Sequence, residues 1–192
     1  MCMYFGKRNI PFFFGIGLAI ILVIVVLYLI FHHGPAPKPT TPMAAYANNP
    51  TAQVAMLIDG PVNAPSLHNQ VQVVINNYST TINVFQGYND KVVASKVYAN
   101  DVASFHVFLR SLEYAGFERG RNNPHLSQAS GYCPTGDRYI FSFDVNNTQK
   151  ERRWIDTCNG DPHTFYGDLN LTLTLFQNQV PDYSSLTSGL NI

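Results

Sequence analysis

Asp168–Pro181 reads DLNLTLTLFQNQVP and fits two periods at once. Leu169, Leu171, Leu173 and Leu175 alternate with Asn170, Thr172 and Thr174, the pattern of a strand with one buried face. Leu169, Leu173, Phe176 and Val180 also share one face of a helix, which Pro181 would end. The choice decides the fold, because a strand would extend a sheet whereas a helix would pack on one.

An offset of 68 residues resolves it. Tyr98-Ala99-Asn100 aligns with Tyr166-Gly167-Asp168, Phe105 with Leu173, Phe108 with Phe176, and Leu112 with Val180. The earlier stretch is a clear amphipathic helix. Val102, Phe105, Leu109 and Leu112 recur at helical spacing, and Phe108 and Ala115 widen the stripe. Asn100 is the expected N-cap, Asp101 complements the positive helix end, and Gly116 suits the residue after the last turn. By correspondence, Leu169–Gln179 is expected to be a second helix.

Four strands are expected before the first helix: Gln53–Ile58, Gln70–Ile75, Thr81–Phe85 and Lys91–Tyr98. The turn-like links Asn76–Ser79 and Gly87–Asp90 imply antiparallel neighbours. Arg138–Val145 and Glu151–Thr157 form a hairpin across Asn146-Asn147-Thr148. The expected domain, residues 51–192, is therefore α+β, in the order ββββ-α-ββ-α, with an antiparallel sheet carrying two helices on one face.

Between the first helix and the hairpin lies Glu118–Asp137, a polar stretch without periodicity. Loops of this length inside a compact domain are uncommon and often functional. Arg119, Arg121 and His125 are its candidate partner contacts. The hairpin would bring Cys133 and Cys158 together, and an exported cysteine pair reads as a disulfide. Closing that roughly 26-residue loop stabilises a fold by about 3.5 kcal/mol in the chain-entropy model.

Upstream, Pro11–Phe31 is apolar and uncharged over about 21 residues, enough at ~1.5 Å per residue to cross a hydrocarbon core of roughly 30 Å. Lys7 and Arg8 precede it and Lys38 follows, so the positive-inside rule leaves residues 1–10 in the cytoplasm and exports the remainder. The run is longer than a signal peptide's apolar region, and the first small-x-small site, Ala45-Tyr46-Ala47, lies far beyond it. An uncleaved signal anchor is the expectation, with the lipid bilayer as the partner of residues 11–31. Residues 32–50 hold five prolines and read as an extended spacer.

Three of the twelve basic residues, Lys7, Arg8 and Lys38, precede Asn48 and none of the twelve acidic ones does, leaving nine against twelve in the rest of the chain. That balance, without a basic stripe, gives nucleic-acid binding no electrostatic support. No catalytic motif stands out. Asp161 and His163 are candidates for an acid/base pair, but Asp161-Pro162 reads first as a turn and no G-x-S-x-G elbow occurs. His106 sits beside the apolar stripe of the first helix, and Trp154 is expected in a core. No cofactor and no metal site is expected.

Tyr132-Cys133-Pro134, Arg138-Tyr139, Trp154 with Cys158, and Phe176-Gln177 with Pro181-Asp182-Tyr183 together resemble small, uncharacterised single-span extracytoplasmic proteins of bacteria. The resemblance covers about the last 60 residues, implies an anchored extracytoplasmic α+β domain and carries no activity. The expected function is a membrane-anchored extracytoplasmic binding or structural module. An anchored envelope hydrolase and a subunit of an envelope or secretion assembly are the alternatives.

Overall fold

Six strands form one antiparallel sheet in the computed structural model, which describes residues 21–23 and 41–192. They are β1 Gln53–Asp59, β2 Asn69–Asn76, β3 Ser79–Gln86, β4 Lys91–Ala99, β5 Arg138–Val145 and β6 Thr148–Asp156. Their order across the sheet is β4-β3-β2-β1-β5-β6, so β1 is central and β4 and β6 are the edges. The order follows from hairpin links on either side of β1. Asn146 and Asn147 both adopt positive φ, 54° and 57°, at the β5–β6 turn. Asparagine tolerates that conformation, which matches the twist of a tight hairpin.

Cross-strand register gathers the apolar residues on one face. Met56 lies opposite Val73 on β2 and Phe141 on β5, while Val54 lies opposite Ile75 and Phe143. Val71 and Val73 continue the rows to Val84 and Ile82. All of these are buried, and helix α1, Val102–Ala115, closes over them with Phe105, Phe108, Leu109 and Leu112. The helix begins one residue later than expected. Asp101 is the N-cap, accepting from the Ser104 amide at 2.7 Å, whereas Asn100 donates its side-chain amide to Asn76 O. Val102, expected in the stripe, is 40% exposed. Gly116 ends the helix at φ 76°, with its amide on Glu113 O and the Phe117 amide on Leu112 O. This is the paired bonding of a Schellman ending.

The ambiguous stretch is a helix, α2, Leu169–Gln177. Asp168 caps it on the Leu171 amide. Thr172 and Thr174, which gave the sequence its strand-like alternation, bond their hydroxyls to the carbonyls of Asp168 and Asn170, four residues back. Threonine satisfies its hydroxyl within a helix in this way. Phe176 meets Phe108 edge-on at 5.3 Å between ring centroids, so both helices share the core expected of them. A short helix that the periodicity did not announce, α3, Tyr183–Thr187, follows.

The compact unit begins at Thr41, ahead of the expected start at Thr51. A turn at Met43–Tyr46 buries Met43 completely and holds the Ala44 amide on the Glu113 carboxylate of α1. No helix among the described residues is long and apolar enough to cross a membrane. The expected membrane segment, 11–31, lies outside the described residues except for Ile21, Leu22 and Val23, which are helical and exposed. Residues 1–10 and 32–40 lie outside them as well.

Candidate functional site

On the opposite face of the sheet, loop rather than helix covers β5 and β6. Trp154 and Ile140 are cross-strand partners there. Leu126 and Ala129 from the long loop pack on Trp154, with Tyr132 alongside. The indole Nε1 donates to Leu126 O at 2.7 Å, which satisfies the one polar atom of a buried tryptophan. The loop returns to the sheet at Cys133, joined to Cys158 with the Cα atoms 5.5 Å apart. The Asp161 carboxylate accepts from the Cys133 amide.

The outer edge of β6 is closed at Trp154. Thr164 and Phe165 donate their amides to Trp154 O, and Phe165 bridges in turn to Gly120. Gly120 has no room for a side chain, since a Cβ there would lie 2.0 Å from Thr164 O. Beyond Thr164 the edge is open. There the long loop and β6 enclose a cleft of about 600 Å³, lined by Arg121, Asn122, Asn123, Pro124, Leu126, Ser127, Gln128, Gln149, Lys150, Arg152, Arg153 and Thr164. Its volume falls within the range of small-ligand clefts, and its lining is mostly polar.

Each cation of the cleft has its own setting. Arg153, 6% exposed, binds Glu151 at 2.6 Å and Asn122 Oδ1 at 2.8 Å, while its Nε has no hydrogen-bond partner. Arg152 donates to Ser127 O at 2.7 Å, and partial burial pushes its guanidinium down from the usual range. Arg121 donates its Nε to His163 O and lies 5.8 Å from the centre of the Tyr166 ring. Lys150 is exposed. Behind Arg153, burial raises the carboxyls of Glu151 and Glu118. Arg153 opposes the rise in both, and Glu151 and Glu113 add to it at Glu118.

Of the expected contact residues, Arg121 lines this cleft. Arg119 and His125 are exposed and do not line it; the Arg119 side chain lies back against Gly116. Sequence reasoning missed Lys150, Arg152 and Arg153. Their signal is the run Lys150-Glu151-Arg152-Arg153, of which Glu151–Arg153 fall in the expected strand Glu151–Thr157 and Lys150 just before it. His163 and Asp161 do not pair side chain to side chain. His163 Nδ1 faces the Asp161 backbone carbonyl at 3.4 Å, and the Asp161 carboxylate accepts from the Cys133 amide.

Two other clusters lie elsewhere. Asp59 draws together His68 Nε2 at 3.2 Å, Arg138 at 2.9 Å and Gln70 at 2.9 Å, with Tyr88 stacked on the His68 ring. With His68 and Arg138 buried and no nucleophile among these partners, the cluster ties β1 to β5 and to the β1–β2 link. Asp156 Oδ lies within 4.8 Å of both cysteine sulfurs, but those sulfurs are bonded to each other. No protein-family model matches this chain, and no curated protein matches it.

Proposed function

We propose that this chain is a membrane-anchored extracytoplasmic binding module whose ligand site is the cleft between the long loop and β6. Residues 11–31 are its signal anchor, with residues 1–10 in the cytoplasm and the domain outside. The reading also keeps the chain among the small single-span bacterial proteins it resembles. The cleft carries the proposal, because an irregular loop is pinned at both ends to leave one sheet edge open over polar side chains. The Cys133–Cys158 bridge supports an oxidising compartment. The binding reading is preferred to the hydrolase alternative because His163 Nδ1 faces the Asp161 backbone carbonyl rather than its carboxylate.

Two measurements test this. A reporter active only outside the cytoplasm, fused after Ile192 through a flexible linker, should be active in cells. Activity of a cytoplasmic reporter instead would reverse the orientation. A photo-crosslinking residue at Gln128, in the cleft, should capture a ligand in cells while one at Tyr114, on the far side of α1, should not. Equal capture at both positions would remove the cleft as the site. Capture of integral membrane proteins from Gln128 would favour the assembly-subunit reading.

A further inference from the structure

We propose that the cleft beside β6 binds a compact, multiply charged oxyanion, such as a di- or triphosphate or a polycarboxylate, free or carried on a lipid headgroup. This rests on the binding-module reading and names its ligand class. Charge distribution is the first argument. Four of the nine basic residues beyond Asn48 line this one cleft, and none of the twelve acidic residues does. Glu151 compensates Arg153 from behind. Arg121, Lys150 and Arg152 make no ion pair among the described residues. Three like charges gathered in one cleft repel one another, and a ligand with two or more negative charges relieves that repulsion.

Preorganisation is the second argument. Arg121 is held by His163 O and Arg152 by Ser127 O, so each guanidinium is fixed before a ligand arrives while keeping further N–H donors. Planar forks of this kind match carboxylate and phosphate oxygens. Partial burial disfavours the charge of Arg152, and an oxyanion beside it would offset that cost. The neutral amide of Gln149 adds donor capacity without a competing carboxylate. A cleft of about 600 Å³ with no basic stripe leading out of it suits a compact anionic group rather than a polymer.

The test uses the full chain in phosphatidylcholine nanodiscs, titrated calorimetrically with tripolyphosphate and with citrate at low and raised salt. One saturable site is expected for at least one of them, weakening with salt. Lys150→Gln and Arg152→Gln should each weaken it by about tenfold, the usual size of one lost charge-assisted contact. Lys91→Gln, on the far sheet edge, should leave it unchanged. Because the Lys150 side chain is exposed, Lys150→Gln tests the charge even if Arg152→Gln disturbs the loop. Repeating the measurement in nanodiscs containing phosphatidic acid separates the sources. Competition by that lipid, lost in Lys150→Gln, assigns a headgroup, and its absence assigns a free anion. Failure of both anions to bind, or binding equally strong in Lys150→Gln, overturns the proposal. A ligand crosslinked at Gln128 that neither anion displaces also overturns it, while leaving the cleft as the binding site. No capture at Gln128 would remove the site itself.

Discussion

Phe105, Phe108, Leu109 and Phe176 cover one face of the sheet with broad apolar area, whereas the loop on the other face buries only Leu126 and Ala129 against Trp154. The helices need few directed contacts. Their apolar stripes repeat, and burial is non-directional and scales with area. The loop has no stripe, so it is tied point by point: Trp154 to Leu126 O, Arg152 to Ser127 O, Arg153 to Asn122, and Cys133 to Cys158. One consequence is that the periodic side can lose a polar contact and keep its shape, while the irregular side has few contacts to spare. Another is that the loop leaves polar groups such as Arg121, Arg152 and Gln128 lining the cleft beside β6.

This contrast can be broken by measurement, and the largest expected effect is on the helical face. Phe105→Ala should cost about 3–5 kcal/mol in denaturant unfolding, because a fully buried aromatic leaves a cavity that packed neighbours fill poorly. Cys133→Ser should cost about 3.5 kcal/mol by the loop-closure estimate, and the double cysteine variant about as much, since either opens the same loop. In both cysteine variants, hydrogen exchange should rise first in 118–137 and leave α1 protected. Uniform exchange across both faces would show that the loop is part of one cooperative core. Trp154→Phe keeps most of the apolar volume but leaves Leu126 O unpaired, for about 1–3 kcal/mol.

The smallest effect is a pH dependence at Asp137, beside the bridge. Burial raises its carboxyl above the ordinary range, with Arg138 opposing and Asp59 adding to the rise. The folded form therefore holds the proton more readily than the unfolded one. Its contribution is fully present below the unfolded value and is lost as pH rises through the folded one. Asp137→Asn should be more stable than the parent at neutral pH, with the gap closing as the melting temperature is followed down through the carboxylate range. A gap independent of pH would assign the difference to packing instead.

Most of the helical face was legible in the sequence because its signals are local. The alternation of Gln70–Ile75 and the stripe of Phe105, Leu109 and Leu112 depend only on neighbours along the chain. The limits are equally physical. Asn100 and Asp101 are both good caps, and the choice went to Asp101 because Asn100 is taken by Asn76 O, a partner 24 residues away. Met43 sits in a proline-rich context that reads as spacer, yet its side chain fills the end of the core beside α1. Asp168 and the two threonines show why Leu169–Gln177 looked double. The hydroxyls that alternate like a strand's outer face are satisfied inside the helix. The cleft was half legible. Arg121 stood out in a long polar loop, but its meeting with Lys150 and Arg152 depends on the path the loop takes across β6.

The central place of β1 has a mechanical consequence. Any pull reaching the domain from the side of Thr41 first meets the Met43–Tyr46 turn and then the start of β1. That strand is flanked by antiparallel partners on both sides, seven residue pairs with β2 and seven with β5. A load along β1 cannot peel it open one bond at a time, as it would a hairpin at an edge. It has to shear both rows together, so the strand that follows the Met43–Tyr46 turn is also the one best placed to bear tension.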